Sequence, residues 1–170
     1  DLAGSNFAIA LDVETANKKF GIAQWIENKN TMPLFNKTVT LSFYAKRTGT
    51  TIGKLRAGII SWNGTADTPT SDFVSAWEAA DTNPTLAANL AYENTPADLT
   101  LSTSWQKFTA TCVIDTASID NIGVFIWTDD TAMDVGDFVY ITQVQLNEGS
   151  VALPFQPRHY VEELALCQRY

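Results

Sequence analysis

The stretch that decides the fold is Thr38-Val39-Thr40-Leu41-Ser42-Phe43-Tyr44-Ala45-Lys46. Val39, Leu41, Phe43 and Ala45 alternate with Thr38, Thr40, Ser42 and Tyr44. Side chains on an extended chain point to opposite faces in turn, so this period of two sends the first set to a core and the second outward. The threonines fit the same reading, because a β-branched side chain with a hydroxyl suits a half-exposed pleat.

The period recurs on both sides of that stretch. Phe7, Ile9, Leu11 and Val13 mark one strand, and Phe20, Ile22, Gln24 and Ile26 mark a second. Leu55, Ala57 and Ile59 lead up to Trp62. Phe108, Ala110, Cys112 and Ile114 form a further face, as do Ile122, Val124 and Ile126. The last long strand carries Phe138, Tyr140, Thr142, Val144 and Leu146. Arg47-Thr48-Gly49-Thr50, Asn63-Gly64-Thr65 and Val135-Gly136-Asp137 supply turn chemistry between these segments. About eight short strands with polar connections predict an all-β, two-sheet antiparallel sandwich of jelly-roll type.

Two regions break the rhythm. Residues 62–97 form a long insertion with Pro69, Pro84 and Pro96. In it, Ser71-Asp72 before Phe73, Val74, Ala76 and Trp77 reads as a capped helical turn, and Ala87 to Tyr92 as a further strand. At the C-terminus, Pro154-Phe155-Gln156-Pro157-Arg158 is extended. Glu162 to Cys167 are mostly helix formers and predict a short terminal helix. Residues 1–157 are thus assigned to the sandwich and 158–170 to a helical tail.

Composition narrows the function. The 170 residues suit one domain, and 45% hydrophobic with 18% charged residues is ordinary for a globular core. No apolar run reaches the roughly 18 residues that a membrane helix needs, so no membrane insertion is expected. The net charge of −8 repels a phosphate polymer and argues against a nucleic-acid partner. His159 is the one histidine, and Cys112 and Cys167 are too few for a disulfide framework or a four-cysteine zinc site. The chain begins at Asp1 rather than Met, which is read as an expectation that it is part of a longer protein.

No catalytic constellation emerges. Asp129-Asp130 and Glu162-Glu163 are sequence neighbours, whereas glycoside hydrolysis needs two carboxyls facing each other at roughly 5–10 Å. No Gly-x-Ser-x-Gly elbow occurs, and Cys112 lies among apolar strand neighbours. The expectation is a non-enzyme. Asp129, Asp130, Asp134 and Asp137 fall within nine positions without the EF-hand spacing. They read either as a solvated acidic loop or as ligands of a structural calcium ion, and no other cofactor is expected. Asn36-Lys-Thr and Asn63-Gly-Thr match the glycosylation sequon, a short and unspecific signal.

The five tryptophans need a reason. Trp105, just after Ser104, reads as a plug at the core edge. Trp25 and Trp127 are out of phase with the apolar residues of their strands, which puts them on the opposite sheet face. Trp62 and Trp77 flank the insertion beside Asn63, Asp72 and Glu78. Flat rings with short amide and carboxylate neighbours are what a sugar requires, since its CH faces stack and its hydroxyls take paired hydrogen bonds. Trp62, Asn63, Asp72, Trp77 and Tyr92 are therefore the candidate carbohydrate-binding residues, with burial of each ring in the core as the competing reading. At least one insertion tryptophan is expected to be solvent-accessible.

The C-terminal run Val144-Gln145-Leu146-Asn147-Glu148-Gly149-Ser150-Val151-Ala152-Leu153-Pro154-Phe155-Gln156-Pro157-Arg158, continuing through Glu162-Glu163-Leu164-Ala165-Leu166-Cys167-Gln168-Arg169-Tyr170, closely resembles the ending of a family of phage tail-fibre and virion domains of carbohydrate-binding-module-like jelly-roll type. Lys37 to Lys46, Gln24-Trp25-Ile26-Glu27 and Thr103 to Phe108 are similar to three further strands of that family. The resemblance covers most of the chain in order. The family's N-terminal segment has no counterpart, so the first strand of its sandwich is expected to be missing or supplied upstream. The resemblance implies a jelly roll on the virion, in a tail or surface fibre, either binding a host-surface glycan as a receptor or serving as a structural decoration or assembly module. It also implies other virion chains as partners, a homotrimer, and no catalytic residues.

Overall fold

The computed structural model describes residue 2, residues 7–129 and 132–157, and residues 161 and 164. Seven long strands carry the sandwich: β1 (Ile9–Asp12), β2 (Gly21–Ile26), β3 (Thr38–Arg47), β4 (Lys54–Trp62), β9 (Gln106–Val113), β10 (Asn121–Thr128) and β11 (Phe138–Glu148). Each falls on an alternating segment of the sequence. Between β4 and β9 the insertion adds four short strands, β5 (Val74–Ala76), β6 (Thr85–Leu86), β7 (Leu90–Tyr92) and β8 (Leu99–Thr100).

One sheet has the order β1-β11-β3-β9 and the other β2-β10-β4-β7, with β8 also on β4. All pairings are antiparallel. Among the seven long strands, each successive strand crosses to the opposite sheet. That alternation is jelly-roll topology, and it lets each inward stripe meet its counterpart across the core. Val39, Leu41, Phe43 and Ala45 of β3 are fully buried and meet Leu55, Ile59, Ile122, Val124 and Ile126 of the facing sheet. A helical turn α1 (Asn28–Thr31) and a 3-10 turn (Met32–Leu34) link β2 to β3. No helix among the described residues is long and apolar enough to cross a membrane.

The outward faces differ from the simple alternation. Thr40 and Ser42 of β3 are buried although they point away from the core. The chain after β11 returns along that strand and reaches Thr40. The Thr40 hydroxyl donates to the Gly149 carbonyl at 2.7 Å. The Leu153 and Gln156 amides donate to the side chains of Asn147 and Gln145. Trp105 is half-buried beneath Lys46, whose ammonium lies 4.9 Å from the ring centroid, so it belongs to this outer surface rather than to the core edge. The terminal helix expected in 158–170 lies outside the described residues, apart from Val161 and Leu164, which are helical.

The outer face of the second sheet is a small core in its own right. Ile60, Phe73, Phe125 and Trp127 are buried together, with Trp25, Leu90 and Tyr92 packed around them. The insertion supplies the cover. Ser71-Asp72 does not cap a helix: β-branched Val74 enters the hairpin β5–β6 instead, opposite Leu86. That hairpin leaves Phe73 lying on the sheet, stacked on Trp25 at 4.5 Å and tilted against Phe125 at 5.4 Å. Gly123 makes room beneath it, since a Cβ there would stand 2.9 Å from both the Phe73 and Trp25 rings.

Candidate functional site

Where the cover ends, a groove remains. It has a volume of about 520 Å³ and is lined by Gly21, Ala23, Trp25, Ser71, Asp72, Phe73, Val74, Trp77 and Phe125. Period two puts Gly21, Ala23 and Trp25 of β2 on one face, so the edge strand forms one wall. The Phe73–Trp77 stretch forms the other wall, and Phe125 of β10 the floor.

Trp77 is the exposed ring of this groove, 42% accessible, with its centroid 6.2 Å from that of Phe125. One insertion tryptophan is thus solvent-accessible, as expected. Asp72 is exposed beside it, and its amide is anchored by the Thr70 hydroxyl at 3.1 Å. Trp25 is fixed by its indole N–H, which donates to the Thr70 carbonyl at 3.0 Å. The same loop therefore holds one aromatic wall and anchors the backbone of Asp72.

The structure brings Asp72 and Trp77 together and leaves the other three candidates out. Trp62 is 8% accessible and offers no face to a ligand. Its N–H donates to the Thr65 carbonyl, and Gly64 closes against its ring. Asn63 is exposed in the turn after β4, its amide donating to the Asn89 carbonyl. Tyr92 packs against Trp127 and donates its hydroxyl to the Pro84 carbonyl, and burial pushes its pKa up. Three aromatics of the groove, Trp25, Phe73 and Phe125, were not among the sequence candidates. The out-of-phase position of Trp25 was the available signal; Phe125 shares its face with Trp127, which is fully buried.

The acidic residues near the end of β10 do not gather around one point. Asp129 is fully buried, and its oxygens accept from Lys19 at 3.0 Å, Arg56 at 2.8 Å and the Asp81 amide at 3.0 Å. Asp137 instead accepts from the amide and hydroxyl of Thr51, which hold its carboxyl below the usual range. The Asp134 amide donates to the same hydroxyl. Asp130 lies outside the described residues. The carboxylates that do converge are Asp81, Asp98 and Asp129, near enough by spacing to share a metal ion. Their chemistry matches a different role. Arg56 bridges Asp98 and Asp129, Lys54 bridges Asp81 and Asp98, and Lys19 holds Asp129. Calcium requires about six to eight oxygen ligands, whereas here each carboxylate already faces a cation. The set is an ion-pair clasp between the insertion and the sheet.

No protein-family model matches this sequence, and no curated protein matches it. Solved structures do resemble the fold. A CBM4 structure is 16% identical with a TM-score of 0.47, covering 76% of this chain, which in turn spans 61% of that one. A family 16 carbohydrate-binding module is 16% identical with a TM-score of 0.48, covering 86% of this chain and 79% of its own. The enzymatically active domain of bacteriophage CBA120 tailspike protein 4 is 14% identical with a TM-score of 0.48, covering 87% of this chain and 17% of that chain. Likenesses at this level leave the jelly-roll assignment resting on the sheet order itself.

Proposed function

We propose that this domain is a non-enzymatic carbohydrate-binding module of a phage virion, which holds a host-surface glycan in the groove between β2 and the insertion. The carrying observation is the exposed ring of Trp77 over Phe125, beside the exposed carboxylate of Asp72. A ring face binds the CH side of a pyranose and a carboxylate accepts from its hydroxyls, and a concave site with few polar groups provides both. The virion setting rests on the C-terminal resemblance. Virion chains as partners and a homotrimer fit the exposed Val151, Leu153, Val161 and Leu164 near that end, which apolar contact with another chain would cover.

A glycan array with the purified domain tests this reading. Binding to at least one glycan is expected, with loss of about tenfold or more in Trp77→Ala, equivalent to about 1.4 kcal/mol. Because Trp77 lies at the surface and outside the two buried clusters, the variant is expected to fold, which a melting curve checks before binding is read. Silence on every glycan from a stable oligomer contradicts the proposal and supports the structural alternative, a decoration or assembly module. Turnover of any polysaccharide contradicts the non-enzymatic reading.

A further inference from the structure

The charge of the groove narrows its ligand class further, on the reading that it binds carbohydrate. Asp72 is its one ionisable lining residue, and no Lys or Arg lines it. Among the described residues, the Asp72 carboxylate takes part in no ion pair, and its anchoring bond is made by the backbone amide. The nearby carboxylate of Glu78 is already engaged, accepting from the Thr85 hydroxyl at 2.7 Å. An uncompensated negative charge therefore stands at the mouth of a groove walled by Trp25, Phe73, Trp77 and Phe125.

Aromatic faces carry the same sign. The negative face of a ring attracts a cation within about 6 Å, weakly at exposed sites and more strongly where water is excluded. Trp77 is the one open aromatic of the groove, since Phe73 and Phe125 are buried in stacks. Its exposed ring and the Asp72 carboxylate together favour a positive group and disfavour an anionic one. The whole molecule, at −8, adds to that field. A neutral sugar has no group that uses Asp72 as a charge. A glycan with a protonated amine does, because its ring stacks while its ammonium meets the carboxylate.

We infer that the groove between Trp77 and Asp72 selects glycans bearing a free, protonated amino group over neutral ones. The test uses three β-1,4-linked hexamers that differ only at the second carbon: glucosamine, N-acetylglucosamine and glucose. Titration calorimetry at a pH where the amine is protonated is expected to give at least about fivefold tighter binding of the glucosamine hexamer than of either other. Asp72→Asn should bring the ratio close to one. Asp115→Asn, the same charge change in the β9–β10 connection, should leave it intact. Trp77→Ala should weaken all binding.

The outcomes are distinguishable. Equal affinity for the three hexamers, or tighter binding of a neutral one, overturns the amine selectivity and leaves the carbohydrate reading standing. A preference that survives Asp72→Asn also overturns it, because the attraction would then come from the net charge alone. If none of the three binds and the array is silent as well, the carbohydrate reading fails first. If none binds while the array shows only neutral or acidic glycans, the selectivity alone is refuted.

Discussion

Asp129 carries more of the structure than its place in an acidic sequence suggests. Read along the chain it belongs with Asp130, Asp134 and Asp137, but in the fold it is fully buried between Arg56 and Lys19, whose side chains are only 7% and 5% accessible. Removing one partner of such a cluster leaves an uncompensated buried charge, which costs about 3–5 kcal/mol. Asp129→Ala should therefore lower the stability measured by urea unfolding by about that amount, with an unchanged denaturant slope. A loss below about 1 kcal/mol would show that the cluster is solvated and not a clasp. This residue was illegible in the sequence because its partners lie 110 and 73 positions away. No local pattern joins Lys19, Arg56 and Asp129.

At the scale of elements, the insertion turns one sheet face into a second core. Alternation in β10 put Ile122, Val124 and Ile126 on the core side and suggested that Trp127 faced a less buried one. Every residue of β10 is in fact buried, because the hairpin β5–β6 and Phe73 lie on the far side. Period two identifies two faces but does not say what a later segment will cover. That is why the sequence leaves both an open and a buried reading for Trp62, which the structure resolves as buried. The insertion is tied at one end by Asp67, whose carboxylate accepts from the Asn28 amide and from Asn121. At the other it is tied by the clasp.

Both ties respond to acid. The Lys54 hydrogen bond, aided by the charge of Arg56, holds Asp98 down to about 2 from an ordinary 3.8. Asp67 is lowered too, first by the Asn28 amide. A carboxylate depressed in the fold contributes its stability fully above its unfolded value, and loses it as pH falls through the folded one. Hydrogen exchange followed from about pH 5 to about pH 2, corrected for intrinsic rates, should show the insertion amides losing protection in that window. The amides of β3 should keep theirs for longer. Uniform protection loss across the chain would mean that the insertion is not an independently held element.

For the whole molecule, the architecture was legible and the site only half so. Seven alternating segments fall on the seven long strands, but not every stripe is in phase. In β11 the buried residues are Val139 and Ile141 rather than Phe138 and Tyr140, and a bulge between Thr142 and Gln145 returns Leu146 to the core. In the first strand's segment Phe7 and Ile9 are exposed. The groove depends on how a 36-residue stretch, 62–97, folds back on a sheet, and only its exposed members, Asp72 and Trp77, could be found without knowing that path. Trp25, Phe73 and Phe125 acquire their role from packing between distant segments. The charge of −8, read from composition as an argument against nucleic acid, adds to the negative charge that Asp72 places at the groove.

The most direct test of the account reads the five indole N–H resonances during a nuclear magnetic resonance titration with the glycan that binds best on the array. The Trp77 signal is predicted to shift most and Trp25 next, while Trp62, Trp105 and Trp127 stay in place. An unmoved Trp77 signal at saturating ligand, or a dominant shift at Trp105 on the opposite sheet, would contradict the assignment of the groove as the binding site.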